Sequence, residues 1–243
     1  MEMKEETTIR EIVRNDHRAA AVFEKHAIDF CCGGNKTLES VCEQKGIDPA
    51  MLVRELRLVE AASGSGYFRP DQWDPDVLAD FIVNTHHRYV RRMLPQIRAH
   101  LAKLVSVHGM NHPELSAIAG RFEEVAGELT HHMQKEEVVL FPAIKTLVTL
   151  SAREQATRQA PFSIRRPIEM MEAEHQTAGD ALTFIRTTSG DFVPPADACE
   201  TYRVTYRELE DFERDLHQHV HLENNILFPK AIALEDDEQK GRQ

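Results

Sequence analysis

Two short stretches of this 243-residue chain carry the same chemistry. One is His132-Met133-Gln134-Lys135-Glu136, trailed by Phe141-Pro142; the other is His219-Val220-His221-Leu222-Glu223, trailed by Phe228-Pro229. Both read His-x-x-x-Glu-x-x-x-x-Phe-Pro. A chance second copy of four fixed residues at fixed spacing has a probability of about a few in a thousand at this composition, so the match reads as an internal duplication. On a helix, His and Glu four apart lie on one face, and both side chains can reach one point in a bundle core. Counting back 45 residues from His132 reaches His87, and 44 from His219 reaches His175, so each half offers one further histidine. Four imidazoles and two carboxylates form a ligand set for two metal ions. If Glu136 and Glu223 both bridge, each metal receives two imidazoles, and positions stay open for an oxo or hydroxo bridge and a small exogenous ligand.

Imidazole with carboxylate suits iron or manganese, whereas structural zinc favours four ligands closing one site, often with cysteine; iron is the expected metal. A single His-x-x-x-Glu is more often a surface ion pair, and it is the duplication that raises these residues above that reading. His86 beside His87, His131 beside His132, and His217 and His221 around His219 are the competing histidines. Adjacent helical residues point about 100 degrees apart, so one of each neighbouring pair aims inward. The apolar spacing Leu78, Ile82 favours His86, and counting back from Leu94-Pro95 favours His87; both stay open. Glu128 and Glu174 stand near ligands, as candidates for proton transfer or imidazole orientation, though a surface role is commoner for glutamate.

The elements that must position these residues are helical. Four long stretches, 76–108, 114–150, 166–188 and 197–234, are separated by Gly, Pro or polar breaks, with no sustained period-two alternation. They are the parts of a four-helix bundle, in which Pro95, Pro142 and Pro229 predict kinks or early helix ends. Ser63-Gly64-Ser65-Gly66 reads as a linker, dividing the chain into residues 1–66, a small helical Cys-Cys-Gly-Gly domain, and 67–243, the bundle. In the first part, 9–26 and 38–46 read as short helices, and Asp48-Pro49 opens another. The fold class is all-α.

Cys31 and Cys32 are adjacent, which strains any disulfide between them, so they read as thiols held for use; buried small hydrophobes are the alternative. A helix starting after Asn35 would favour thiolate there. Cys42 and Cys199 carry no motif. Sparse cysteine, a charged N-terminus and the lack of an 18-residue apolar run predict a soluble cytoplasmic protein with no membrane partner. With 40 acidic against 29 basic residues, the net charge of -11 disfavours nucleic acid; Arg88, Arg91 and Arg92 read as a solvated face.

Through these residues the sequence resembles the iron-sulfur cluster repair di-iron proteins, the RIC or ScdA-type family. The segments are Phe23 to Gly34 (FEKHAIDFCCGG), Phe81 to His87 (FIVNTHH), His132 to Ile144 (HMQKEEVVLFPAI), Pro167 to His175 (PIEMMEAEH) and His219 to Pro229 (HVHLENNILFP). The resemblance implies a hemerythrin-like bundle carrying two iron ions per chain on His87, His132, Glu136, His175, His219 and Glu223, with both glutamates bridging. It also implies a homodimer in the bacterial cytoplasm whose clients are iron-sulfur proteins damaged by nitric oxide or peroxide. The same ligands would serve a nitric oxide or peroxide reductase, or a sensor or carrier of oxygen or nitric oxide. The Cys31-Cys32 unit, superfluous for carriage, favours repair.

Overall fold

The structure, a computed structural model, describes residues 6–16, 18–31, 33–61, 69–151 and 163–240. Four short helices come first: α1 (Ile9–Asn15), α2 (Ala19–Lys25), α3 (Leu38–Lys45) and α4 (Pro49–Ala61). Thr8 caps α1 in a reciprocal box with Glu11, Thr37 caps α3, and Gly46, at φ 66°, ends α3 in the left-handed region. The sequence predicts one helix over 9–26. The chain breaks it at Asp16, whose extended backbone lets its carboxylate accept from the Arg18 backbone N–H at 3.0 Å. The Ser63–Gly66 linker lies outside the described residues.

Four long helices then form the bundle. Helix α5 runs through Pro75–Ile82, Val83–His87 and Arg88–His108, and α6 through Glu114–Lys135, Glu136–Leu140 and Phe141–Ser151. Helix α7 is Arg165–Thr188, and α8 runs through Glu200–Leu222, Glu223–Leu227 and Phe228–Lys240. Helix α5 packs on α6 and α8, and α7 packs on the same two. None of the described helices is long and apolar enough to cross a membrane.

The middle segments of α5, α6 and α8 are π-helical turns, each admitting one extra residue. The N–H groups of Arg88, Phe141 and Phe228 bond the carbonyls five residues back, on Val83, Glu136 and Glu223. Pro142 and Pro229 follow directly. Proline has no N–H and crowds the carbonyl four residues back, so a widened turn beneath it lets the helix continue. None of the three prolines ends its helix: Pro95 lies inside Arg88–His108, and the other two sit just past their π turns.

The bundle core is divided. One apolar cluster includes Leu101, Phe122, Leu182 and Phe212 and extends into the N-terminal helices through Ile9, Phe23 and Leu52. A second holds Ile82, Ile144, Ile168 and Phe228. On every bundle helix a buried histidine or glutamate falls between the two, so a polar layer crosses the core.

Candidate metal centre

The polar layer consists of His87, His132, Glu136, His175, His219 and Glu223, none more than 2% exposed. They form two overlapping groups, each with its ligand atoms within 4.8 Å of one another: His87, Glu136, His219, Glu223 and His132, Glu136, His175, Glu223. The two carboxylates are common to both. Glu136 Oε2 lies 3.4 Å from His87 Nε2 and 3.4 Å from His132 Nε2. Glu223 reaches His175 Nε2 at 3.1 Å through Oε2 and His219 Nε2 at 2.9 Å through Oε1. Each pair of imidazoles therefore takes one histidine from each half of the duplication.

His87 stands in this layer and His86 does not. His86 is also buried, but its Nδ1 meets Asp215 Oδ1 on α8 at 3.0 Å. The π turn supplies the reason. An α-helical stripe through Ile82 continues at residue 86, and one inserted residue moves that position to His87. Of the remaining competitors, His131 is exposed, whereas His217 and His221 contact the Phe30 ring edge-on at 6.0 and 5.8 Å.

The outer nitrogens of three of these imidazoles are engaged. His87 Nδ1 donates to Glu137 at 2.6 Å, which also accepts from Arg91 at 2.7 Å. His132 Nδ1 donates to Glu174 at 2.9 Å, and Lys135 pairs with the same carboxylate. His175 Nδ1 donates to Asn224 Oδ1 at 2.8 Å. Such partners fix the tautomer in which Nε2 offers a lone pair. The partly exposed Glu174 thus backs His132, while Glu128 lines, with His131, His132, Lys135, Glu174 and His175, a cavity of ≈ 290 Å³ beside the layer. Glu137 and Asn224 are absent from the sequence reading, yet both directly follow the shared glutamate of their half. The trailing phenylalanines act in parallel: the Phe141 ring stacks on His87 at 5.8 Å and the Phe228 ring on His175 at 6.1 Å.

A cation fits this donor set. The Nε2 atoms of His132 and His175 face each other at 3.0 Å while both Nδ1 atoms are used outward, so the converging lone pairs need a proton or a metal between them. His87 Nε2, both Glu136 oxygens and Glu223 Oε2 are buried and make no hydrogen bond. Burying carboxylates costs on the order of several kcal/mol each unless positive charge compensates. In the metal-free chain the imidazoles supply it. Burial pulls the His132 pKa down, but Glu136, helped by Glu223 and Glu174, pushes it up to about 9. His87 is raised in the same way, its burial outweighed chiefly by Glu136. Burial holds His219 below the usual histidine range. Glu223 lies well below the ordinary carboxylate value: burial raises it, and His219 and His175 more than reverse that.

The Phe30–Cys31 segment packs against α8 next to the layer. Asn225 Nδ2 donates to the Phe30 carbonyl at 3.1 Å, and Asn224 Nδ2 to the Cys31 carbonyl at 3.4 Å. Gly34 comes so close to its neighbours that a Cβ there would lie 2.8 Å from the Phe30 carbonyl oxygen. Cys31 is buried, and its Sγ–H donates to Asp29 Oδ1 at 3.2 Å, a contact made by the thiol and lost by the thiolate. Helix α3 begins at Leu38, where the sequence places it, so no helix starts directly after Asn35 to favour a thiolate. Cys32 lies outside the described residues. Cys42 is core, and the exposed Cys199 has its sulfur 3.2 Å from His108 Nε2.

Comparison with known proteins matches two family models to the chain. Residues 5–60 match the ScdA_N family model, described as a domain of unknown function (DUF542), and residues 79–231 match the hemerythrin HHE cation binding domain. The iron-sulfur cluster repair protein YtfE of Musicola paradisiaca (strain Ech703) is 35% identical over 218 residues, covering 88% of this chain and 91% of the relative. YtfE of Yersinia pestis is 33% identical over the same shares. The iron-sulfur cluster repair protein ScdA of Staphylococcus haemolyticus (strain JCSC1435) is 31% identical over 225 residues, 93% of this chain and 97% of the relative. With an all-helical bundle, a buried histidine–glutamate layer and relatives aligned over most of its length, the chain belongs to the YtfE/ScdA family, an ScdA_N domain joined to a hemerythrin HHE cation binding domain.

Proposed function

We propose that this chain repairs damaged iron-sulfur clusters by supplying iron from a two-iron site in which Glu136 and Glu223 are each shared between the metals. The observation that carries the reading is the pair of overlapping four-residue groups with both carboxylates in common. His87 and His219 would hold one iron, His132 and His175 the other, and Phe141 and Phe228 wall the site against water. Bound iron would supply a change of oxidation state and an open position for a small ligand such as nitric oxide or oxygen. Ferrous iron binds such ligands more weakly than ferric by charge alone, so reduction favours release to a client. The names of the relatives support the clients: damaged iron-sulfur proteins. The chain is divided near residue 66, with Cys31 and Cys32 as the thiols on the transfer side. The family resemblance extends the reading to a cytoplasmic homodimer.

The test loads the protein with ferrous iron without air and mixes it with an iron-sulfur hydratase inactivated by peroxide. Recovery of client activity in proportion to iron supplied is the expected result, absent with Glu136→Ala and impaired with Cys31→Ser/Cys32→Ser at unchanged iron content. Failure of loaded protein to restore the client refutes iron supply. A second reading, reduction of nitric oxide or peroxide at the same site, draws on the cavity of ≈ 290 Å³ that reaches His132 and His175. Catalytic turnover with a chemical reductant and no client would favour it.

A further inference from the structure

Asn224 has two different partners and lies between two parts of the molecule. It is 4% exposed; its Oδ1 accepts from His175 Nδ1, and its Nδ2 donates to the Cys31 carbonyl. A carboxamide has its oxygen and its nitrogen on opposite sides of one planar group, so the two bonds are not independent. While His175 carries its proton on Nδ1, the amide oxygen must face the imidazole and the NH2 must face Cys31. If the proton moves to Nε2, where Glu223 Oε2 lies 3.1 Å away, Nδ1 becomes an acceptor. The amide then turns over to donate to it, bringing its oxygen against the Cys31 carbonyl oxygen. One orientation holds the Phe30–Cys31 segment and the other repels it.

We infer that Asn224 is a positioning residue that couples docking of the Phe30–Cys31 segment on α8 to metal occupancy at His175. The inference rests on His175 being a metal ligand, as the proposed function has it. A metal on Nε2 excludes the proton from that nitrogen and keeps it on Nδ1, selecting the amide orientation that grips Cys31. Linkage makes the effect reciprocal: the docked segment also favours the metal-binding tautomer of His175. Asn225 is the internal control. It holds Phe30 at 3.1 Å, and its second contact, at 2.8 Å, is with His221, which is outside the ligand set. The first half of the bundle lacks this device, because the residue after its shared glutamate is Glu137, which turns to Arg91.

The experiment measures hydrogen exchange of the backbone amides in 28–34 on the full chain, metal-free and loaded with ferrous iron under anaerobic conditions, with bound metal counted in each sample. In the native chain loading slows exchange by about 5-fold or more, the range of ordinary coupling between sites. Asn224→Asp keeps an acceptor for His175 but sets a second oxygen against Cys31, so it binds metal without slowing exchange. Asn225→Ala loosens the segment in both states and keeps the native ratio between them. Equal slowing in Asn224→Asp would overturn the role of Asn224. Metal bound by the native chain with no change in 28–34 would overturn the coupling and leave the metal site standing. No metal bound by the native chain would overturn both.

Discussion

In the first half of the bundle His87 leans on Glu137, a carboxylate held by Arg91 at the surface; in the second half His175 leans on Asn224, a buried neutral amide that also holds the Cys31 carbonyl. The positions correspond, each being one residue past a shared glutamate, but the chemistry differs. A carboxylate partner makes its imidazole a stronger donor to a cation, whereas an amide fixes orientation without adding charge. The histidines of the His-x-x-x-Glu pairs differ too. His132 has Glu174 behind it, whereas the residue equivalent to Glu174 in the first half is His86, whose ring stacks on His219 with centroids 5.5 Å apart. Duplication has kept the six residues of the layer and let their surroundings diverge, so within each pair one imidazole is backed by a carboxylate and its companion from the other half is not.

The largest expected effect comes from the residues the two halves share. Glu136→Ala or Glu223→Ala should lose both metals, whereas His87→Ala or His175→Ala should lose about one, measured as metal per chain; equal losses for all four variants would contradict the sharing of carboxylates. Next are the orienting partners. Glu137→Ala should weaken metal binding by about 10- to 100-fold, as removal of such partners does elsewhere, and Asn224→Ala by less, because it removes no charge; competition with a chelator ranks them, and the reverse order would break the comparison. His86→Phe should leave the metal count at the native value, since His86 faces Asp215; a lost metal would return the ligand role to His86. The smallest effect belongs to Phe141→Leu and Phe228→Leu, which keep the site dry but lose the stacking on His87 and His175. Each should destabilise the fold by about 1 kcal/mol in denaturant melts, with little change in metal content.

The residues of the buried layer were legible because their types are rare in a core and their spacing is repeated. The bundle-helix boundaries followed from periodicity and breakers within about three residues, except that the last helix runs on to Lys240, past its expected end at 234. What periodicity could not give was the register through the π turns. Leu78 and Ile82 point to residue 86, and only an inserted residue carries that stripe to His87. The trailing prolines were visible, but they read as kinks, since their accommodation depends on a turn the sequence pattern does not announce. Extending the duplication by one residue would have brought out Glu137 and Asn224. The docking of Cys31 on Asn224, 193 residues apart, is a tertiary fact with no local signal.

The most direct measurement is elemental analysis of the chain purified without air, with optical spectra before and after oxidation, alongside the Glu136→Ala/Glu223→Ala double variant. Two irons per chain, near-ultraviolet absorption appearing on oxidation, and loss of both in the variant are the predicted results. Zinc, a single metal, or metal retained by the variant would contradict a two-iron centre built on shared carboxylates.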